Sequence, residues 1–179
     1  MPRNWDEQYA QAAGLDFTPS PLLVEVAEMV RPGRALDLAS GPGRNALYLA
    51  GLGWNVVAVD SSGAAIEILR RRAAAAKFPV EAHHADLEAG AFAMEPAAYD
   101  LICDFFYLQR NLFPQIREGV RPGGLFAAEI HLRDSGQHRF VLDPGELRAE
   151  FSGWKILYYS ESARPGHSRP TARLMARRA

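Results

Sequence analysis

Ala35-Leu36-Asp37-Leu38-Ala39-Ser40-Gly41-Pro42-Gly43-Arg44-Asn45-Ala46 decides the fold. It begins as a short apolar strand, turns on two glycines and enters a helix, with Asp37 just ahead of the turn. Gly41 and Gly43 carry no Cβ and tolerate unusual φ values, so the backbone can approach a ligand closely. The helix that follows presents unpaired N–H groups to whatever occupies the turn.

Outward from this turn the chain alternates strands and helices. A polar stretch with Trp5, Tyr9 and Phe17 reads as a short helix and a loop. Ser20 is then expected to cap a helix with Pro21 at its first position and a stripe of Leu22, Leu23, Val26, Met29 and Val30. Strands are predicted at Ala35 to Leu38, Asn55 to Asp60, Pro79 to His84, Tyr99 to Cys103 and Leu125 to Ile130. Helices are predicted at Gly43 to Leu52, from Ser61 or Ser62 to Ala75, and at Leu112 to Gly119. Arg121 to Gly124 reads as a turn. Pro144 starts a short helix, Gly145 to Phe151. Two last strands, Trp154 to Ser160 and Thr171 to Arg177, form a hairpin around the loop Ser162 to Pro170.

Such alternation implies an α/β fold: a doubly wound, mostly parallel sheet with helices on both faces, a three-layer αβα sandwich of the Rossmann-like kind. Ligands of these sheets bind beyond the carboxyl ends of the strands. Asp37, Asp60, Asp86 and Asp104 fall at or just past the ends of the first four strands. That pattern predicts a ligand rich in hydrogen-bond donors, such as an amine, a ribose diol or an exocyclic amino group.

Composition limits the alternatives. The 179 residues, 48% apolar, suit one domain, 1–179, with residues 1–32 as an N-terminal lid and helix and 33–179 as core. A net charge of −1 offers no bulk attraction to nucleic acid or membrane. The single cysteine, Cys103, suits a reducing cytosol, and no apolar run is long enough to cross a bilayer, so a cytoplasmic location is expected. A monomer or weak homodimer is the expected state.

Five segments resemble those of class I S-adenosylmethionine-dependent methyltransferases: Leu36 to Asn45, Val56 to Ser62, Ala85 to Glu88, Tyr99 to Asp104 and Arg121 to Phe126. Within that family the chain is most similar to small members of the tellurite-resistance and thiol-methylating type, which also open with Trp-Asp-x-x-Tyr, here Trp5 to Tyr9. The resemblance implies strand order 3-2-1-4-5-7-6 with strand 7 antiparallel, and S-adenosylmethionine as methyl donor, leaving S-adenosylhomocysteine. It also implies roles. Asp37 would orient the donor's amino group, and Ala39, Ser40, Gly41, Gly43 and Asn45 would pass beside its carboxylate and ribose. Asp60 would accept both ribose hydroxyls. Ser61, Ala85, Asp86 and Leu87 would surround the adenine. Asp104 and Phe105 would border the methyl. Ala39 departs from the family pattern, which usually has glycine there.

Other readings stand beside these. Gly-x-Gly-x-x-Ala over Gly41 to Ala46 also matches a dinucleotide fingerprint, but Asp37 would sit near the pyrophosphate and Pro42 lacks an N–H. Asp104-Phe105-Phe106-Tyr107 resembles the Asp-Pro-Pro-Tyr of enzymes that methylate base amino groups, without the prolines. Trp5 and Tyr9 are read either as a lid on the cofactor or as edge packing. Phe106, Tyr107, Arg110 and His131 are candidates for the pocket of a small-molecule acceptor. His131 is the one candidate general base, set against a structural loop histidine. His83 and His84 point to opposite faces of a strand and cannot share a metal, and no metal site is expected. The reaction expected is in-line methyl transfer to a small acceptor, with a thiol or chalcogen anion favoured. A non-catalytic cofactor-binding protein and an N-methyltransferase are the alternatives.

Overall fold

The computed structural model describes residues 4–11, 14–134, 140–163 and 169–179. Its elements follow the order α1 (Trp5–Gln11), α2 (Pro21–Met29), β1 (Arg34–Leu38), α3 (Arg44–Gly51), β2 (Asn55–Asp60), α4 (Gly63–Ala76), β3 (Val80–His84), β4 (Tyr99–Phe105), α5 (Leu112–Gly119), β5 (Val120–His131), α6 (Glu146–Glu150), β6 (Lys155–Ala163) and β7 (Pro170–Arg177). The strands form one seven-stranded sheet in the order β3-β2-β1-β4-β5-β7-β6. β7 runs antiparallel to both β5 and β6. The chain divides into two compact units, residues 1–93 and 94–179.

In the first unit β1, β2 and β3 pair in parallel, with Leu36 opposite Val57 and Asp60 opposite His84. Leu36, Leu38, Val57 and Val59 on the strands and Leu49, Ile66 and Leu69 on α3 and α4 are buried. β1 and β2 are buried along nearly their whole length on both faces, as central strands of a parallel sheet are. Ser62 caps α4 as the sequence predicts, its hydroxyl accepting the Ala65 N–H at 3.1 Å. Ser20 does not cap α2 through its side chain. Its hydroxyl instead accepts from Arg44 Nη2 at 3.2 Å, and its N–H donates to Asn45 Oδ1 at 2.9 Å. The serine is thus a tie between the α2 entrance and the first turn of α3.

In the second unit Phe126 stacks on Phe151 with ring centroids 4.5 Å apart, and Phe113 meets Phe151 edge-on at 5.9 Å. These contacts hold α5 and the chain after α6 to the sheet. Arg121 to Gly124 differs from its sequence reading. β5 runs on through it, and the pairing with β4 jumps from Tyr99↔Val120 to Leu101↔Leu125. The extra residues bulge out of the ladder, Gly123 takes φ +79°, and its N–H donates to the Arg178 carbonyl at 2.9 Å. The final hairpin is also tighter than expected, since β6 and β7 pair out to Ala163↔Pro170. His167, expected in the hairpin loop, lies outside the described residues.

Candidate functional site

In the first unit the carboxyl ends of three parallel strands make one rim, and Asp37, Asp60 and Asp86 lie along it. β1 ends at Leu38 and the chain turns at once. Ala39 takes φ +50°, Gly41 φ +54° and Gly43 φ +90°. Ala39 therefore stands in a left-handed conformation that glycine adopts freely and alanine adopts at a cost of roughly 1 kcal/mol. Ser40 anchors the turn, its N–H donating to the Val59 carbonyl at 3.0 Å. Asn45 follows in α3, buried, with its carboxamide oxygen engaged by Ser20.

Asp60 organises this rim. Its Oδ2 accepts the Gly41 N–H at 2.7 Å and its Oδ1 accepts the Ser62 N–H at 2.8 Å. One carboxylate thereby holds the glycine turn to the α4 entrance. Burial pushes the Asp60 pKa up, against the pull of these two N–H groups. Each oxygen keeps a further acceptor position, the capacity a vicinal diol requires.

Asp37 is 1% exposed, and among the described residues its Oδ2 has no hydrogen-bond partner. Burial raises its pKa to about 7, although the charge of Arg44 and the Ala46 N–H act the other way. A buried acceptor left unsatisfied is costly, and a cationic or N–H-bearing ligand would relieve it. Asp86 is exposed, and its Oδ1 accepts the N–H groups of Glu88 at 2.8 Å and Ala89 at 3.3 Å, which turns the chain after β3. Leu87 is buried beside it, while Ala85 is half-buried and Ser61 exposed.

α1 lies against the same rim. Trp5 and Tyr9 stack with centroids 5.8 Å apart, and the Tyr9 hydroxyl lies 2.9 Å from where a Cβ on Gly41 would stand. The sequence reading missed Asp6. Its Oδ1 accepts the Ser62 hydroxyl at 2.6 Å and the Ala64 N–H at 3.0 Å. It also missed His84, whose Nε2–H donates to the Ser61 carbonyl at 3.1 Å. The signal for Asp6 was its spacing: three residues ahead of Tyr9, it shares that residue's helix face.

The second unit holds the other candidates. Asp104 and Phe105 are buried at the end of β4. Phe106 follows with φ +68°, 38% exposed, its N–H on the Glu129 carbonyl at 2.7 Å and its ring 5.3 Å from that of His131. Tyr107 is half-buried next to it. Arg110 lines a cavity of about 490 Å³ with Leu108, Arg133, Phe140 and Val141. Phe106, Tyr107 and His131 are not among that cavity's lining residues. The Arg110 guanidinium is engaged by Glu146 through two hydrogen bonds and by the Val141 carbonyl at 3.1 Å. Among the described residues no group of three His, Cys, Asp or Glu side chains is placed to hold a metal ion, and no helix is long and apolar enough to cross a membrane.

The strand order and the glycine turn held by the buried acid that ends β2 define the class I methyltransferase fold. The chain belongs to the TehB family, described as "Tellurite resistance protein TehB", whose pattern matches residues 6–171. It is 33% identical over 150 residues to "Hemagglutinin 1" of Eikenella corrodens, covering 77% of this chain and 49% of that protein. It is 28% identical to the "Probable S-adenosyl-L-methionine-dependent methyltransferase TehB" of Haemophilus influenzae, covering 78% of this chain and 52% of that one. The crystal structure of TehB from Haemophilus influenzae superposes with a TM-score of 0.77 at 22% identity, over 88% of this chain and 61% of that chain. The chain thus spans about half the length of the curated relatives it matches.

Proposed function

We propose that residues 1–179 act as one S-adenosylmethionine-dependent methyltransferase domain that alkylates a small-molecule acceptor, a thiol or chalcogen anion in preference. The observation that carries this reading is the pairing of a double-acceptor carboxylate, Asp60, with a buried carboxyl, Asp37, whose Oδ2 lacks a partner among the described residues, on one rim beside a glycine turn. A ribose diol suits the first and an ammonium the second. The family supports the same cofactor through its Haemophilus influenzae relative.

When bound, S-adenosylmethionine supplies an electrophilic methyl on a sulfonium sulfur, which keeps the electron pair of the broken C–S bond as the acceptor forms its bond to carbon. The chain's task is then alignment and exclusion of water. Asp60 positions the ribose, Asp37 the amino group, and Asp86 with Leu87 the adenine. The aromatic run Phe105, Phe106 and Tyr107 supplies a weakly polar surround in which a dispersing positive charge is tolerated. A thiolate or chalcogen anion needs no proton removed. An oxygen or nitrogen acceptor needs a base, and His131, beside Phe106, is the candidate. Buried Cys103 fits a reducing cytoplasm, and a monomer or weak homodimer is the proposed state.

The test is calorimetry of the full chain with S-adenosylmethionine and S-adenosylhomocysteine. Labelled methyl transfer is then screened across thiols, selenium and tellurium oxyanions, amines and phenols. Micromolar binding with transfer to a sulfur, selenium or tellurium acceptor supports the reading. Binding without transfer to any of them makes the chain a cofactor-binding protein instead.

A further inference from the structure

α1 has seven residues and none of them is buried. A helix that short is not stable alone in water, and this one has no apolar side chain sunk in a core to fix it. What holds it are discrete contacts, and two of them fall on one face, three residues apart. Asp6 takes the Ser62 hydroxyl and the Ala64 N–H at the start of α4, where the helix dipole favours a carboxylate. Tyr9 places its hydroxyl against Gly41.

Both landing points are held by the same group. The Ser62 N–H is bound by Asp60 Oδ1 and the Gly41 N–H by Asp60 Oδ2. Ser62 therefore works three ways at once: its N–H goes to Asp60, its hydroxyl hydrogen to Asp6, and its oxygen accepts from Ala65. The side chain that would hold the ribose also fixes the two places where α1 docks. A ligand that immobilises Asp60 firms up both, and α1 in place lies against the Gly41 turn beside that ligand.

From this geometry we infer that Asp6 is a latch: a positioning residue that keeps α1 docked across the Ser62 and Gly41 segments and sets how long the cofactor stays bound. The inference rests on reading the Asp60 rim as the adenosylmethionine site. Asp6 touches no reacting atom and acts through Ser62. Its neighbour Glu7, exposed and one position round the helix, serves as the control.

Two measurements on the full chain test it. The first needs no cofactor: amide hydrogen exchange of residues 5–11 in Asp6→Ala, Asp6→Asn, Glu7→Gln and the unaltered protein. Protection of α1 falls at least fivefold in Asp6→Ala and less in Asp6→Asn, which keeps an acceptor oxygen. It is unchanged in Glu7→Gln, and β1 and β2 keep their protection in all. The second is the dissociation rate of S-adenosylhomocysteine by stopped-flow, followed through Trp5 on α1. It rises about tenfold in Asp6→Ala, and the KM for S-adenosylmethionine rises while the acceptor KM does not. Equal α1 exchange in Asp6→Ala and the unaltered protein overturns the latch, and so does an equal dissociation rate. If the unaltered protein binds no S-adenosylhomocysteine, the cofactor reading fails, and the exchange experiment still decides whether Asp6 holds α1.

Discussion

Asp60 Oδ2 accepts the backbone N–H of Gly41, nineteen residues earlier in the chain, at 2.7 Å. The acid expected to hold a ribose is therefore also a brace of the protein's own backbone. Asp60→Ala removes both the ligand contacts and the partners of two N–H groups. Cofactor affinity should drop by about 2 kcal/mol or more, because charge-assisted hydrogen bonds are lost. Stability should drop as well, by roughly 1–3 kcal/mol for each N–H left buried without an acceptor. Asp60→Asn should do less harm, since its one oxygen still serves one N–H. Calorimetry with S-adenosylhomocysteine and urea unfolding of the three proteins separate the two effects.

Gly41 and Gly43 differ in what a methyl group would meet. At Gly41 a Cβ would press on the movable end of Tyr9, and at Gly43 it would stand 2.3 Å from Leu69 Cδ1 in the core. Both backbones are left-handed. Gly41→Ala should cost about 1 kcal/mol of stability, chiefly backbone strain, and weaken cofactor binding by shifting Tyr9. Gly43→Ala should cost about 3 kcal/mol, strain plus overpacking. Combining it with Leu69→Ala should cost less than the two changes added together, and a thermal-melt double-mutant cycle reads that coupling directly.

The ion pair of Arg110 and Glu146 should be a weak contributor. Arg110 is half exposed, so the pair is worth about 0.5–1 kcal/mol at most. Arg110 holds the Glu146 carboxyl below its ordinary pKa, and the Asp143 N–H adds to that. The contribution is present above the unfolded pKa and is lost as pH falls through the lowered folded one. Urea unfolding of Glu146→Gln should show a small deficit at pH 7 that vanishes in acid.

The sequence makes some of this plain and hides the rest for physical reasons. Asn55–Asp60 and Leu112–Gly119 match their predicted limits because the apolar run of the one ends in an acid and the other closes on a glycine. Arg121-Pro122-Gly123-Gly124 carries every mark of a turn, yet the strand bulges there and resumes, because the flanking Val120 and Leu125 both find partners on β4. The acids of the first rim were legible because parallel strands put their carboxyl ends on one side. Asp6 showed only its spacing from Tyr9: its partners, Ser62 and Ala64, lie 56 and 58 residues further along, so its role emerges with the docking of α1 on α4. The engagement of Asn45 by Ser20 and of Arg110 by Glu146 is likewise tertiary, between residues far apart in sequence.

Asp37 should make both stability and cofactor binding depend on pH. Its pKa is about 7 in the folded chain because burial penalises the charge, against an ordinary value of 3.8. Between these values the unfolded chain has released the proton and the folded chain keeps it, so stability falls as pH rises from 4 to 7 and levels off above. The full effect is on the order of 4 kcal/mol. Asp37→Asn carries no charge to bury, so its stability relative to the unaltered protein should climb through the same window and then hold steady, as urea unfolding at stepped pH would show. A bound ammonium reverses the penalty and favours the carboxylate. S-adenosylmethionine binding near pH 7 should therefore release part of a proton, seen as a dependence of the calorimetric heat on buffer ionisation enthalpy. That release should be absent in Asp37→Asn, and a heat independent of buffer in the unaltered protein would remove Asp37 from the amino-group position.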